Sequence, residues 1–292
     1  LKGVDDALAE HKPDKILILG DTNSGLSAIV AARRQIPVFH MEAGNRCFDD
    51  RVPEEINRRI IDHSSTILLP YTERSKENLV AEGIPRERIY VTGNPINEVL
   101  INFTSSIEGS GVLADHGIKP FEYFLATLHR AENVDIPERL ASIFNGFELV
   151  AKKIGKPVLA SCHPRTAAKI QESGLTIDPN VRLIDPLGFF DFVKLERNAL
   201  AVLTDSGTVQ EECSLFGIPN VTVRDVTERP ETIECGSNII SGADPDMILR
   251  SVEIAIAQPS NWDPPVEYTV KNTSQIVSKI VLGSTFLRGY SS

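Results

Sequence analysis

The sequence predicts an α/β protein made of two Rossmann-like, doubly wound parallel domains, and three observations indicate this. Short apolar runs, typical of buried strands, alternate with segments of helical periodicity along most of the chain. The alternation weakens at residues 101–120, where serines and glycines suggest a linker, and then restarts. A length of 292 residues is sufficient for two domains. We therefore expect two similar domains with a cleft between them.

The first half alternates strand and helix after one preceding helix. Ser24 is a candidate N-cap, and Pro53 falls in a first helical turn, where its missing N–H is harmless. The predicted elements are helix 3–10, strand 15–20, helix 24–34, strand 36–41, helix 53–63, strand 66–70, helix 73–82 and strand 89–92. We assign residues 1–108 to the first domain.

The second half repeats the pattern. Its predicted elements are strand 123–127, helix 137–155, strand 157–161, helix 165–172, strand 181–184, helix 190–198, strand 200–204, helix 208–216, strand 220–223, helix 244–257 and helix 273–282. We assign residues 109–270 to the second domain and expect residues 271–292 to pack back on the first.

The composition excludes several classes of protein. A net charge of −10 argues against non-specific binding to nucleic acid or to an anionic membrane. No apolar run approaches the length of a membrane span, and no signal peptide is recognisable at the start, so we expect a cytoplasmic protein. The cysteines form no C-x-x-C pair, which argues against a zinc site.

Three carboxylates cluster in the first half. Asp21 follows strand 15–20 and Glu42 ends strand 36–41, so both are expected at the carboxyl edge of the sheet, where ligands bind. Glu54 and Arg58 lie four residues apart on the next helix. Carboxylates beside an arginine can transfer protons at an anionic substrate. The alternatives are a helix-capping role for Asp21 and surface ion pairs for Glu54–Arg58 and Glu55–Arg59.

Polar residues also follow strands in the second half. His129 and Arg130 come directly after strand 123–127 and can grip a phosphate, or they are solvated loop charges. Ser206 and Gly207 open helix 208–216, whose free N–H groups can bind a phosphate, or Ser206 simply caps an ordinary helix. Neither a Walker motif nor G-x-G-x-x-G is present.

Two further residues extend this candidate anion site. Glu212, about one and a half turns into helix 208–216, can accept both hydroxyls of a ribose, or else form a surface ion pair. Arg229 lies in the loop Thr227-Glu228-Arg229-Pro230-Glu231 and can reach a diphosphate, although alone it would be an ordinary loop charge.

Taken together, these motifs resemble the non-hydrolysing UDP-N-acetylglucosamine 2-epimerase family. The matching motifs, in order along nearly the whole chain, are Gly20-Asp-Thr22, His40-Met-Glu-Ala-Gly44, Pro53-Glu-Glu-x-Asn-Arg58, His129-Arg-x-Glu-Asn133, Thr204-Asp-Ser-Gly207 and Thr227-Glu-Arg-Pro-Glu231. The resemblance implies a GT-B arrangement with the UDP-sugar in the cleft. It implies inversion at C2, in which UDP is eliminated and then added back, for surface polysaccharide precursors.

The resemblance also implies roles for the residues. Asp21, Glu42 and Glu54 would be the acid/base carboxylates, with Arg58 as their close partner. His129, Ser206, Gly207 and Arg229 would hold the diphosphate and Glu212 the ribose. We group His129 with the catalytic carboxylates and Arg130 with the substrate-binding residues. No metal or other cofactor is implied, and homodimers are usual in the family.

The chain departs from the family pattern in two places. Asn45-Arg46-Cys47 stands where many members have Leu-Arg-Thr, which resembles a branch that includes epimerases of modified UDP-sugars. The family's opening strand and its Gly-Thr-Arg-Pro-Glu turn are not in this sequence. We therefore expect an incomplete first domain, a damaged catalytic site and weak or absent activity. A GT-B glycosyltransferase and a UDP-sugar-binding fragment without activity are the alternative functions.

Overall fold

The fold is that of a computed structural model, which describes residues 2–258 and 260–284. The chain forms two compact units, one made of the described residues up to Glu98 together with those from Glu267 onward, the other of Val99–Val266. The sequence predicted domain bounds after residues 108 and 270. Parallel sheets flanked by helices confirm the predicted α/β class.

The first unit contains a three-stranded parallel sheet in the order β1-β2-β3. Its elements in this part of the chain are α1 (Lys2–His11), β1 (Ile16–Leu19), α2 (Ser27–Arg33), β2 (Val38–Met41), α3 (Pro53–Ser64), β3 (Ile67–Leu69) and α4 (Glu73–Ala81), and the boundary with the second unit falls within α5 (Ile96–Asn102). Pro53 begins α3, as predicted. Ala28, Val38 and Ile61 form the core on one side of the sheet, where α2 and α3 pack.

Two predictions for this unit are wrong. Ser24 does not cap a helix, because a 3-10 turn at Asn23–Leu26 comes first and the α-helix begins at Ser27. Residues 89–92 do not form a strand, and only Ile89 bridges to Leu68. The segment runs along β3, with the Tyr90 N–H donating to the Leu68 carbonyl at 2.9 Å and the Thr92 N–H to the Pro70 carbonyl at 3.0 Å, but it forms one isolated bridge and not a continuous ladder.

The second unit contains a six-stranded parallel sheet in the order β6-β5-β4-β7-β8-β9. Its elements are α6 (Thr104–Glu108), α7 (Val112–Asp115), β4 (Phe124–Leu128), α8 (Ala131–Val134), α9 (Pro137–Ile154), β5 (Val158–Cys162), α10 (Pro164–Ser173), β6 (Val181–Ile184), α11 (Phe189–Arg197), β7 (Ala201–Thr204), α12 (Gly207–Phe216), β8 (Asn220–Thr222), α13 (Pro230–Glu234), β9 (Asn238–Ile240) and α14 (Pro245–Ala257). The strand order reverses between β4 and β7, where doubly wound folds bind their ligands.

Helices cover both faces of this sheet. Phe124, Phe147 and Ile248 belong to the core beneath α9 and α14, and Leu125 and Cys213 belong to the core beneath α11 and α12. Each face therefore has its own buried layer, as a parallel sheet requires.

The linker expected at residues 101–120 is helical instead. It contains α6 and α7, whose apolar residues Ile107 and Val112 are buried. Serine and glycine suggested a linker, but these two apolar side chains anchor the segment. The sequence also did not predict β9, which has only three residues.

The C-terminal helix α15 (Thr273–Gly283) belongs to the first unit. Its Val277 packs with Phe39 and Leu69 on the sheet face opposite α2 and α3. Within residues 2–258 and 260–284, no helix has the length and hydropathy of a membrane span. The same residues contain no cluster of three or more His, Cys, Asp or Glu suited to a metal ion.

Candidate active site

Asp21 and Glu42 follow neighbouring strands at one edge of the first sheet. Leu19 of β1 pairs in register with Met41 of β2, so the next residues of both strands emerge together. A Cβ atom placed on Gly20 would lie 3.4 Å from Oε2 of Glu42, so the Glu42 carboxylate lies against the turn that leads to Asp21. The structure therefore brings these two predicted residues to the same edge.

Arg58 joins Asp21 to a buried carboxylate. Its Nη2 donates to Oδ2 of Asp21 at 2.6 Å and its Nη1 to Oε2 of Glu55 at 2.7 Å. Glu55 is fully buried and also accepts the backbone N–H of Cys47 at 3.0 Å. Burial would raise the pKa of Glu55, but the Cys47 N–H and the Arg58 charge lower it below its ordinary value. Arg58 is thus held rigidly, with Asp21 at its exposed side.

The sequence did not assign a role to Glu55, which it treated as a surface partner of Arg59. The pair exists, with Arg59 Nη2 donating to Oε1 of Glu55 at 2.9 Å, but the Glu55 side chain is buried. Glu54, the adjacent residue, lies in the first turn of α3 and is half-buried. Since residues four apart share a helix face, Glu54 lies on the same side of α3 as Arg58.

Asn45 positions Glu42. Its Nδ2 donates to Oε1 of Glu42 at 3.2 Å, and its Oδ1 accepts the Ser75 hydroxyl at 2.8 Å. Asn45 is one of the residues by which the chain departs from the family pattern, so the departure directly touches a proposed acid/base carboxylate. Glu42 itself has a φ of 66°, a conformation that is strained for a residue with a long side chain.

A buried ionic network lies behind this edge. Both ring nitrogens of His40 contact oxygens, Nδ1 with Asp62 at 2.7 Å and Nε2 with the Gly20 carbonyl at 3.0 Å. Asp62 also pairs with Arg46 at 2.8 Å, and Arg46 pairs with Glu82 at 2.7 Å. Burial would lower the pKa of Arg46, but its hydrogen bond to Glu82 and the charge of Asp62 raise it. The network fixes Gly20, and through it the start of the Asp21 loop.

Gly44 allows the loop after β2 to approach α4. Its φ is 79°, and an added Cβ would lie 2.2 Å from the Ser75 carbonyl oxygen. We expect Gly44→Ala to destabilise the protein by about 1–3 kcal/mol more than Gly83→Ala, because overpacking adds to backbone strain. Gly83 is the matched control, with a φ of 88° and nothing within 4 Å of its added Cβ. Urea denaturation of both variants measures the difference, and equal destabilisation would contradict the close approach.

In the second unit, Asp205 holds the segment that carries His129. This fully buried carboxylate accepts the backbone N–H of His129 at 3.1 Å and that of Arg130 at 3.0 Å. It also contacts Nδ1 of His129 at 3.0 Å, so the half-exposed ring turns Nε2 away from Asp205. Burial would raise the pKa of Asp205, but the hydrogen bonds from His129, Arg130 and Asn133 lower it. Asp205 thereby joins the ends of β4 and β7 at the point where the strand order reverses.

Ser206, Gly207 and Arg229 meet at the start of α12. Ser206 is the N-cap residue, and its side chain does not cap the helix. A Cβ on Gly207 would lie 3.5 Å from the Arg229 guanidinium carbon. Arg229 is buried and its Nε donates to Glu211 on the same helix. A guanidinium and a free helix N-terminus thus lie side by side, which is a suitable site for an anion.

Glu212 lies farther along α12 and is buried, which contradicts the alternative of a surface ion pair. Its carboxyl contacts that of Glu196 in α11. Burial raises the pKa of Glu212 to about 8, ahead of two smaller effects, a hydrogen bond from Glu196 that lowers it and the Glu211 charge that raises it. The sequence gave no indication of Glu196, because its partner belongs to the next helix.

Comparison with known proteins gives consistent matches. The family model for UDP-N-acetylglucosamine 2-epimerase matches residues 1–282. The chain is similar to the UDP-N-acetylglucosamine 2-epimerase of Methanocaldococcus jannaschii, with 41% identity over 90% of this chain and 74% of that protein. It is 38% identical to the UDP-2,3-diacetamido-2,3-dideoxy-D-glucuronate 2-epimerase of Pseudomonas aeruginosa, over 88% of this chain and 72% of that one.

A solved structure agrees with these sequence matches. The crystal structure of the Methanocaldococcus jannaschii UDP-GlcNAc 2-epimerase in complex with UDP-GlcNAc and UDP superposes with a TM-score of 0.92. The two chains are 38% identical, and the match covers 97% of this chain and 79% of that chain.

Proposed function

The chain belongs to the UDP-N-acetylglucosamine 2-epimerase family, and on this premise we propose that it inverts C2 of UDP-GlcNAc or a related UDP-linked 2-acetamido sugar. It is an isomerase of nucleotide sugars. The observation that best supports this function is the convergence of Asp21 and Glu42 at one sheet edge, with Arg58 paired to Asp21. A glycosyltransferase of the same fold has no need of a group that removes a proton from C2.

We infer that the reaction proceeds by elimination and re-addition. A carboxylate of the set Asp21, Glu42 and Glu54 takes the C2 proton while the C1–O bond to UDP breaks, leaving an unsaturated 2-acetamido sugar. UDP then adds back to C1, and a carboxylic acid delivers a proton to the opposite face of C2. The reaction balances, because C2 loses one proton and gains one, C1 loses UDP and regains it, and no oxidant or reductant is needed.

The second unit would hold the nucleotide. Gly207 has no side chain between the start of α12 and the Arg229 guanidinium, which would supply positive charge for a diphosphate there. The orientation of His129 by Asp205 supports a role for its Nε2 in donating to a phosphate oxygen. Arg130, whose backbone N–H the same carboxylate accepts, would add charge beside it. Glu212 would accept the ribose hydroxyls.

Deuterium exchange tests the proposal. Incubation of the chain with UDP-GlcNAc in D₂O should give both C2 epimers with deuterium at C2, seen as loss of the H2 proton signal and a gain of one mass unit. UDP released with free 2-acetamido sugar would indicate a hydrolytic variant instead. UDP binding without any exchange would favour the alternative of a binding module, and an absence of both would contradict the proposal.

The same assay distinguishes between two candidate substrates when it is run with UDP-GlcNAc and with UDP-2,3-diacetamido-uronic acid. The names of two relatives give UDP-N-acetylglucosamine and UDP-2,3-diacetamido-2,3-dideoxy-D-glucuronate as their substrates. A homodimer and a cytoplasmic location stay predictions.

A further inference from the structure

Gln210 is a fully buried glutamine near the start of α12 that the proposed mechanism does not use. Its Nε2 donates to the Ser206 carbonyl at 3.1 Å. Its Oε1 accepts the Thr227 hydroxyl at 2.6 Å and Nδ2 of Asn238 at 3.1 Å. Burial of an amide is costly unless it is hydrogen-bonded, and here both the nitrogen and the oxygen are bonded. One side chain therefore contacts both the N-cap residue of α12 and the loop that carries Arg229.

The Thr227 hydroxyl extends this connection to the backbone of Arg229. Its oxygen accepts the Arg229 N–H at 3.0 Å. Because a backbone N–H can only donate, the Thr227 oxygen is the acceptor there, and its single proton is directed to the amide oxygen of Gln210. The chemistry of the backbone thus fixes the direction of both hydrogen bonds and the orientation of the Gln210 amide.

A second chain of hydrogen bonds connects Gln210 to the carbonyl of Arg229. The Thr232 hydroxyl donates to that carbonyl at 2.7 Å, so its oxygen accepts from Nδ2 of Asn238 at 3.1 Å. The other proton of the same Nδ2 is donated to Oε1 of Gln210. Oδ1 of Asn238 accepts the Thr222 hydroxyl at 2.8 Å, which is consistent with this orientation of the amide. Both the N–H and the carbonyl of Arg229 are therefore connected to one glutamine.

These contacts fix the main chain of Arg229, whereas Glu211 fixes its guanidinium. Nε of Arg229 donates to Glu211, and a Cβ on Gly207 would lie 3.5 Å from the guanidinium carbon. Glu211 and Gln210 are adjacent on α12, so the first turns of this helix hold the Arg229 side chain at both of its ends. A cation that is already ordered beside the helix N-terminus loses less entropy when an anion binds.

We propose that Gln210 is a positioning residue that acts through Thr227 to hold Arg229 beside the N-terminus of α12, where both would bind the diphosphate of the nucleotide. The inference rests on the proposed diphosphate site at Ser206, Gly207 and Arg229. Gln210 would not itself touch the ligand, and its amide would keep two binding groups at a fixed separation. Loss of the connection would release the loop from the helix, which would weaken the binding of a diphosphate more than the binding of a monophosphate.

The test is the preference of the full chain for UDP over UMP, measured as the ratio of their dissociation constants by titration calorimetry. Thr227→Val keeps the size of the side chain and removes the connecting hydroxyl, so the affinity for UDP should fall about tenfold and that for UMP less than about twofold. Thr227→Ser keeps the hydroxyl and should rescue the wild-type preference. Gln210→Met removes the amide, and the double variant with Thr227→Val should lose no more than Gln210→Met alone, because both substitutions break one connection.

Ser142→Ala is the matched control, because it removes a half-buried hydroxyl that donates to the Ala243 carbonyl at 2.8 Å in the same unit. It should keep the preference for UDP. Thr227 is also only half-buried, so the Thr227 variants decide the test even if Gln210→Met does not fold. An unchanged preference in Thr227→Val, an equal loss for UDP and UMP, or the same loss in Thr227→Ser would overturn the inference alone. Absence of UDP binding to the wild-type chain would contradict the proposed function, and the inference with it.

Discussion

Glu42→Asn is expected to abolish most epimerisation and at the same time to stabilise the protein. The substitution removes the carboxylate that lies against Gly20, and loss of an acid/base group lowers kcat by about 10²–10⁴-fold. Glu42 has a φ of 66°, which asparagine tolerates better than glutamate does. We therefore expect the free energy of unfolding to rise by up to about 1 kcal/mol. Turnover assays and urea denaturation measure the two effects.

Two variants separate charge from backbone strain. Glu42→Gln keeps the long side chain in the same conformation, so it should lose activity without any gain in stability. Gln35→Asn lies on the surface at a φ of 60°, and it should gain stability without losing activity. A Glu42→Asn variant that keeps wild-type turnover would rule out an acid/base role for Glu42. A loss of stability would show that Asn45 and its contact with Glu42 outweigh the strain.

The positions of the site residues were predictable where they depend on neighbouring residues in the chain. Asp21, Glu42 and His129 follow short apolar runs, and parallel strands direct the following residues to one edge. The β1–β2 register confirms that the strands preceding Asp21 and Glu42 end together. Their chemical roles stay predictions.

The residues that hold the site were not predictable, because their partners are distant in sequence. Asp205 binds the backbone of His129 across 76 positions, and no local pattern indicates such a contact. The one available signal was its place in Thr204-Asp205-Ser206, directly after a strand. Glu55 was misread for the same reason, since helical spacing indicates Arg59 as a partner but not the Cys47 backbone N–H that donates to its carboxylate.

Asp62→Ala is expected to destabilise the first unit strongly. Asp62 is fully buried and accepts from Gly44 N–H at 3.1 Å while it pairs with both His40 and Arg46. Its removal leaves the buried Arg46 guanidinium with Glu82 as its remaining carboxylate in this network. Breaking a buried ion pair on one side costs about 3 kcal/mol or more. We expect a loss of that size in the free energy of unfolding, measured by urea denaturation.

A surface ion pair provides the matched control. Asp5 pairs with Arg34 in the same unit, but both side chains are substantially exposed. Asp5→Ala should therefore leave the unfolding midpoint unchanged, because solvent screens such pairs. Asp62→Asn should fall between the two, since an amide keeps the volume and one acceptor while it loses the charge. If Asp62→Ala unfolds at the same urea concentration as Asp5→Ala, the network is not what anchors His40 beneath Gly20. The orientation of the Asp21 loop would then depend on its contacts with Asn57 and Arg58.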